Sequence, residues 1–325
     1  MVVNPVLFMT FARPEYARPS WEAIKKAQPK VLYFYSNKGR TEKEGECARN
    51  EEIRSYIKEI DWECDLHTWF RDEYVDVYTS LLGAKQWAFK NEETLIMLEE
   101  DCLASQAFFE YCDHFLQLYR DEKKIGFITG NNYTGGFEPK GADHFITRSI
   151  HHFGWATWKD RWDTYDYNLN PYSIINAGYI EKYFEDDYLL GKYYKYLHKE
   201  VAPFVLKTGC WDYLKVLNQF RDKTYAVTPI YNLVQNVGLF GTHTDHGKGA
   251  AFELSNNEKK GGYPFNGRKI PIIPNSEYDF IESKNEGLRK KYPLFIKILR
   301  IKTKELFPNI YNALKVVYSK FISLK

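Results

Sequence analysis

Val6-Leu-Phe-Met-Thr-Phe11 and Val31-Leu-Tyr-Phe-Tyr35 are two short, nearly unbroken apolar runs with a stretch of helical character, Trp21 to Ala27, between them. Runs this short and this apolar read as buried strands. Strand, helix and strand within about 30 residues make a βαβ crossover, so the sheet begins parallel. The fold class is therefore α/β, with a mixed, mainly parallel sheet flanked by helices. The loop Ala12-Arg-Pro-Glu-Tyr-Ala-Arg-Pro-Ser20 is expected to end at Ser20 as the helix N-cap.

Outward from this unit the pattern continues. A polar helix is expected over Glu46–Ile60, a strand over Asp65–Phe70 and a helix over Tyr78–Phe89. Leu95-Ile-Met-Leu98 is a further buried strand, and it runs into three carboxylates, Glu99, Glu100 and Asp101. Ser105 is placed as the cap of a helix reaching Tyr119, followed by a strand over Ile125–Thr129. The second half predicts a Tyr-rich helical region from Ser173 to His198, a helix opened by Gly209-Cys-Trp-Asp212, and a strand over Thr224–Thr228. Trp155, Trp158 and Trp162 are spaced three and four apart, as on one side of a helix packed in the core.

Composition narrows the class. The 325 residues carry a net charge of only +2, which gives no whole-protein field for nucleic acid. Aromatic residues reach 17%, more than a core alone calls for, and Tyr and Trp suit sugar and nucleotide platforms. Five cysteines contain no C-x-x-C pair, the pattern of reduced thiols in a cytoplasmic protein. The first residues lack the basic and apolar regions of a secretory leader, and no window reaches the length of a membrane span. Residues 1–282 are expected to form the main domain, with a nucleotide-binding part to about 135 and an acceptor or catalytic part from about 136. From 283 onward, eleven lysines and arginines face only Glu286 and Glu305, with apolar residues at helical spacing. A basic amphipathic helix of this kind favours an anionic membrane surface, here the inner face of the plasma membrane; the alternative is a helical hairpin packed on the domain with a solvated basic face.

Three features bear on chemistry. Three adjacent carboxylates at a strand's carboxyl end repel one another unless a cation or strong donors compensate, and open α/β sheets bind ligands at that end. The turn after the first strand carries Thr10, Arg13 and Arg18, where such sheets hold nucleotides. Asp212 stands far downstream, either as a general base or as an ordinary acid in a helix's first turn. His243 is a candidate ligand for the same cation.

The segment Leu98-Glu-Glu-Asp-Cys-Leu-Ala-Ser-Gln-Ala-Phe-Phe-Glu-Tyr-Cys112 resembles the L-E-D-D…F-F-E-Y segment of GT-A glycosyltransferases related to N-acetylglucosaminyltransferase I and its bacterial relatives. Trp62–Arg71, Gly130-Asn-Asn132, His151-His-Phe-Gly-Trp-Ala-Thr-Trp158 with its continuation to Trp162, Gly209–Asp212 and Asn232–Gly238 with Thr242-His-Thr244 resemble the bacterial group, in the same order. The resemblance covers roughly residues 4 to 245. It implies that Asp101 contacts Mn²⁺ or Mg²⁺ bridging a donor diphosphate, that Glu99 reaches the donor sugar and Glu100 the ribose, and that Asp212 is the base of an inverting transfer. It further implies that Arg13, Ser36 and Asn37 hold the nucleoside, and that His151, Gly154 and Trp155 border the sugar. The middle acid is Glu where Asp is usual, and Tyr74-Val-Asp-Val77 replaces the usual asparagine-glycine segment.

The expected activity is thus transfer of a sugar from a nucleotide-diphosphate sugar to a glycan hydroxyl, on a free or lipid-linked acceptor, in bacterial cell-surface polysaccharide synthesis. Two other classes fit parts of the pattern. One is a sugar nucleotidyltransferase, for which Ala12-Arg-Pro-Glu-Tyr16 lacks the expected glycines. The other is a non-catalytic glycan-binding or membrane-docking scaffold.

Overall fold

In the computed structural model, which describes residues 2–134, 137–139, 141–148, 151–238, 263–285, 298–299, 302–304 and 306–309, the chain opens as a parallel pair. Strands β1 (Val6–Thr10) and β2 (Val31–Ser36) run in register from Val6↔Leu32 to Thr10↔Ser36, with helix α1 (Pro14–Ala27) crossing between them. Every residue of β1 is buried, as a strand covered on both faces requires. Helix α1 begins at Pro14 rather than after Ser20, and Ser20 is buried inside it instead of capping it. Pro14 sits in the first turn, where its missing N–H costs nothing. Pro19 lies further in, but it and Glu15, whose carbonyl loses a partner, are exposed to water.

Helix α2 (Glu46–Arg54) leads to strand β3 (Asp65–Phe70), which adds in parallel outside β2. The helix expected through Ile60 tightens to a 3-10 turn over Ser55–Glu59. Helix α3 (Val77–Ala88) returns the chain to β4 (Thr94–Glu99), parallel to β1 on its other side. After β5 (Cys102–Ala104) come α4 (Gln106–Leu118), β6 (Ile125–Thr129), β7 (His144–Thr147), β8 (Trp155–Trp158) and the short α5 (Lys159–Trp162). Ser105 precedes α4 but makes no cap bond, and its buried hydroxyl has no hydrogen-bond partner among the described residues.

Strand β8 runs antiparallel between β4 and β6, and β9 (Tyr225–Pro229) is parallel to β6 with β7 antiparallel at the edge. The sheet order is β3-β2-β1-β4-β8-β6-β9-β7, and a separate ribbon pairs β5 with β10 (Val234–Asn236). The tryptophans spaced three and four apart do not share a helix. Trp155 and Trp158 lie on β8, where a separation of three puts them on opposite faces, and Trp162 follows in α5. Trp158 Nε1 donates to the Leu116 carbonyl at 3.0 Å, beneath the Arg161 guanidinium, and Trp162 stacks on Phe89. All three are core residues.

By compactness the chain divides into a first unit, Met1–Asp166 with Thr224–Asp279, and a second, Tyr167–Lys223 with Phe280–Lys325. The boundary expected near residue 135 does not part the sheet, because β7, β8 and β9 all belong to it. One aromatic cluster, Phe8, Trp21, Phe34 and Tyr56, fills the space between the parallel strands and α1. At the other edge, a strap of residues 263–270 is tied to a buried polar chain. Asp143 Oδ1 meets His144 Nδ1 at 2.6 Å, and His144 Nε2 meets the Tyr119 hydroxyl at 2.6 Å. The Asn266 N–H donates to Asp143 Oδ2, the Tyr263 hydroxyl donates to the Asp143 carbonyl, and the Ile270 N–H donates to Tyr119. Burial opposes the Asp143 charge, but His144 and the Asn266 N–H outweigh it and hold that carboxyl below its ordinary value.

The second unit contains α6 (Pro171–Asn176), α7 (Tyr179–Tyr183), α8 (Tyr188–Thr208) and α9 (Trp211–Asp222). Helix α10 (Ser276–Asn285) begins in the first unit, and the basic segment expected from 283 lies almost wholly outside the described residues. No helix among the described residues is long and apolar enough to cross a membrane.

His198 of α8 is buried beside the rings of Tyr194, Tyr213 and Phe220. That burial pushes its pKa down to about 4. A depressed histidine leaves the unfolded chain holding more protons between the two pKa values. Stability is therefore full above the ordinary histidine value and falls as pH drops from about 6.5 towards 4, by on the order of 1 kcal/mol per pH unit. Urea denaturation across this range is expected to show that loss in the wild type and a flatter profile in His198→Phe. Identical profiles would mean that His198 takes up its proton while folded.

Candidate functional site

Three strands of the first unit deliver their carboxyl ends to one place. The β1 end continues through Phe11 and Ala12 into Arg13, β2 ends at Ser36-Asn37, and β4 ends at Glu99 and passes into Glu100 and Asp101. The parallel register from Val6↔Ile96 to Met9↔Glu99 sets the Arg13 turn beside the acids. Arg13 Nε donates to Glu100 Oε1 at 2.6 Å and its Nη2 to Asp101 Oδ2 at 2.9 Å. The Phe11 N–H donates to the other Glu100 oxygen at 2.7 Å. Glu100 is 3% exposed and Asp101 8%, so the carboxylate repulsion expected from the sequence is relieved by one guanidinium and one backbone N–H. Burial is the largest influence on Glu100 and holds its carboxyl above the ordinary value despite Arg13 and Phe11. Glu99, the last residue of β4, remains half-exposed.

The β5–β10 ribbon brings a second backbone against this cluster. The Val237 N–H donates to the Asp101 carbonyl at 2.8 Å. The next residue, Gly238, lies so close that a β-carbon there would run into the Asp101 carboxylate. His243 and the lysine- and glycine-containing segment after it fall outside the described residues.

Ser36 and Asn37 reach the right sheet end, but their side chains are engaged within the fold. Ser36 is fully buried and receives Asn50 and Arg54, while donating to the Asn37 carbonyl. Asn37 clamps the loop before α3, accepting from the Lys38 and Val75 N–H groups and donating to the Val75 carbonyl. Their side-chain polar atoms thus brace the second strand end. Gly154 and Trp155 are likewise packed within the fold. Gly154 has φ +75°, and a β-carbon there would stand 2.6 Å from Val234 Cγ2, so glycine is required for the β10 segment to pass. Trp155 is 1% exposed and packs edge-on against Phe127. His151 is half-buried, with its ring 3.9 Å from that of Tyr133 and its carbonyl accepting from Thr129.

Asp212 belongs to the second unit, in the first turn of α9. Its Oδ1 accepts from the Cys210 thiol at 2.6 Å and from the Tyr213 N–H at 2.9 Å, and Oδ2 has no hydrogen-bond partner among the described residues. One turn on, Lys215 is buried, and burial lowers its ammonium pKa to about 8.

The strand ends also gather residues that the sequence did not single out. The Phe11 and Tyr74 rings lie 5.9 Å apart, and the Arg40 guanidinium stands 5.7 Å and 5.4 Å from them. Arg40 is fixed in turn by a bidentate pair with Glu46. Tyr74-Val-Asp-Val77 thereby gains an account: Tyr74 packs on Phe11, Val75 docks on Asn37, and Asp76 caps α3. Phe11, two residues before Arg13, was the signal the sequence offered.

No group of three or more His, Cys, Asp or Glu side chains that could hold a metal occurs among the described residues. A hard cation that keeps most positions for water and phosphate oxygens needs only one or two carboxylates. Asp101 and Glu99, two residues before it, supply two carboxylates at this strand end. The sequence matches no protein-family model and no curated protein.

Gly238→Ala is expected to cost about 1–3 kcal/mol, the range for forcing a methylene into an already packed site. Urea denaturation measures this directly, and a neutral substitution would show that the Asp101 carboxylate has room to move.

Proposed function

We propose that the chain is a metal-dependent, inverting glycosyltransferase of GT-A type, moving a sugar from a nucleotide-diphosphate sugar to a glycan hydroxyl. One observation carries this most: two buried carboxylates, Glu100 and Asp101, at the carboxyl end of parallel strands, bound by an arginine from the neighbouring βα turn. Ligands of open α/β sheets collect at such ends. The motif order from Leu98 to Gly238 supports the same class. Asp101, with Glu99, would hold Mn²⁺ or Mg²⁺, and the bound ion would supply positive charge to a departing diphosphate.

The remaining roles belong to the chain's own groups. Phe11 and Tyr74, with Arg40 beside them, offer ring faces and a cation to the nucleoside. Asn37, Asn50 and Arg54 keep the second strand end fixed, which is what positioning a reacting pair demands. Asp212 takes the proton from the acceptor hydroxyl at Oδ2, while the Cys210 thiol and the Tyr213 N–H hold Oδ1. The acceptor is a cell-surface glycan or its lipid-linked precursor, and the basic C-terminal segment would bring the enzyme to an anionic membrane.

The test pairs transfer with binding. Asp212→Asn is expected to reduce transfer by roughly 10²–10⁴-fold, the contribution of a positioned base, and to leave donor affinity measured by calorimetry nearly intact. Loss of donor affinity in parallel with activity would remove Asp212 from the role of base. A thermal-shift panel of UDP-, GDP-, CMP- and dTDP-sugars with Mn²⁺ should single out one nucleotide. A ligand at about 100 times its dissociation constant adds about 2.7 kcal/mol. A flat response across the panel would sink the glycosyltransferase proposal itself.

A further inference from the structure

We propose that Arg13 is an internal counter-cation which a divalent ion must displace from Asp101, so that metal and nucleoside diphosphate bind as a coupled pair. This rests on the glycosyltransferase proposal and deepens it. The two arms of the guanidinium are held unequally. Nε is fixed on Glu100, the more enclosed carboxylate, whose second oxygen is already tied to the Phe11 N–H. Nη2 reaches Asp101 Oδ2, where the side chain is more open, at 11% exposure against 4% for Glu100. Among the described residues, the opposite oxygen, Asp101 Oδ1, has the Cys102 thiol as its partner, at 3.9 Å.

A Mg²⁺-like ion approaches a carboxylate oxygen to about 2.0–2.1 Å. Arg13 Nη2 stands 2.9 Å from that same Oδ2. Two cations drawn to one oxygen in a poorly hydrated site repel, so the ion and Nη2 compete for it. The Nε–Glu100 bond is the pivot about which Nη2 swings away. A released guanidinium arm beside an ion site matches the oxygens of a diphosphate, for which arginine is the preferred partner. The diphosphate thus gives the displaced charge a new partner, and each ligand strengthens the other. Arg13 is in this sense a positioning residue for the ion and a ligand for the diphosphate.

The experiment uses the full chain and reads metal binding, not turnover. Free Mn²⁺ is followed by electron paramagnetic resonance during titration, with Mn²⁺ alone and with Mn²⁺ plus UDP, GDP, CDP or dTDP. Wild type is expected to bind Mn²⁺ weakly alone and much more tightly with one of the diphosphates. Arg13→Gln is expected to bind Mn²⁺ alone roughly tenfold more tightly, as when one charge-assisted hydrogen bond stops competing, and to lose most of the enhancement by diphosphate. Equal or weaker Mn²⁺ binding by a folded Arg13→Gln overturns the proposal.

Should that variant fail to fold, the wild type carries the test. Arginine-specific labelling with phenylglyoxal, mapped by mass spectrometry, is expected to rise at Arg13 when Mn²⁺ is added without nucleotide. Unchanged labelling at a Mn²⁺ concentration that saturates the protein overturns the proposal and leaves the metal-dependent function standing. No Mn²⁺ binding by wild type, even with every diphosphate, overturns both.

Discussion

The ion pair from Arg13 to Glu100 and Asp101 is the constraint on which the first unit's functional end depends. Two adjacent carboxylates this well buried cannot both keep their charge without a partner. The partner comes from the turn that β1 makes on its way into α1, so the requirement locks the β1 and β4 ends together. Much of the neighbourhood follows from that lock. Phe11 is held with its N–H on Glu100, which sets its ring beside Tyr74. Asn50 grips the Phe11 carbonyl and the β2 end at once, and the β10 backbone closes over Asp101 at Gly238. Removing one member of a buried pair leaves the other uncompensated, and that penalty is larger than the attraction between them.

The parallel half of the sheet was legible because β1 and β2 are covered on both faces and read as nearly unbroken apolar runs, while the edge strand β3 follows from its position after the second helix. β1, β2 and β3 fall within one residue of their expected bounds. The start of α1 was not legible, because two prolines and two arginines look like a loop whenever the solvent exposure of Pro19 is unknown. The tryptophan spacing deceived for a geometric reason. Intervals of three and four suit one helix face, but equally a four-residue strand followed by a turn of helix.

The candidate site was legible in its acids and not in its partners. The triplet is contiguous, but Arg13 lies 87 residues before Glu100, and no local pattern links them. Ser36 and Asn37 were placed at the correct strand end, yet sequence position does not reveal that their polar atoms turn inward to Asn50, Arg54 and Val75. The aromatic surplus has a similar lesson. Rings that suggested sugar platforms serve largely as core, around Trp21 in the first unit and around Tyr183, Phe184, Tyr194 and Phe220 in the second. Phe11 and Tyr74 are half-buried exceptions.

The strap tied to Asp143, His144 and Tyr119 fixes the chain again at Tyr263, whose hydroxyl also receives the Ile230 N–H. Two backbone groups far apart in sequence, the Asp143 carbonyl before β7 and the Ile230 N–H after β9, thus meet at one phenol, and a single ring pins both strands of that sheet edge.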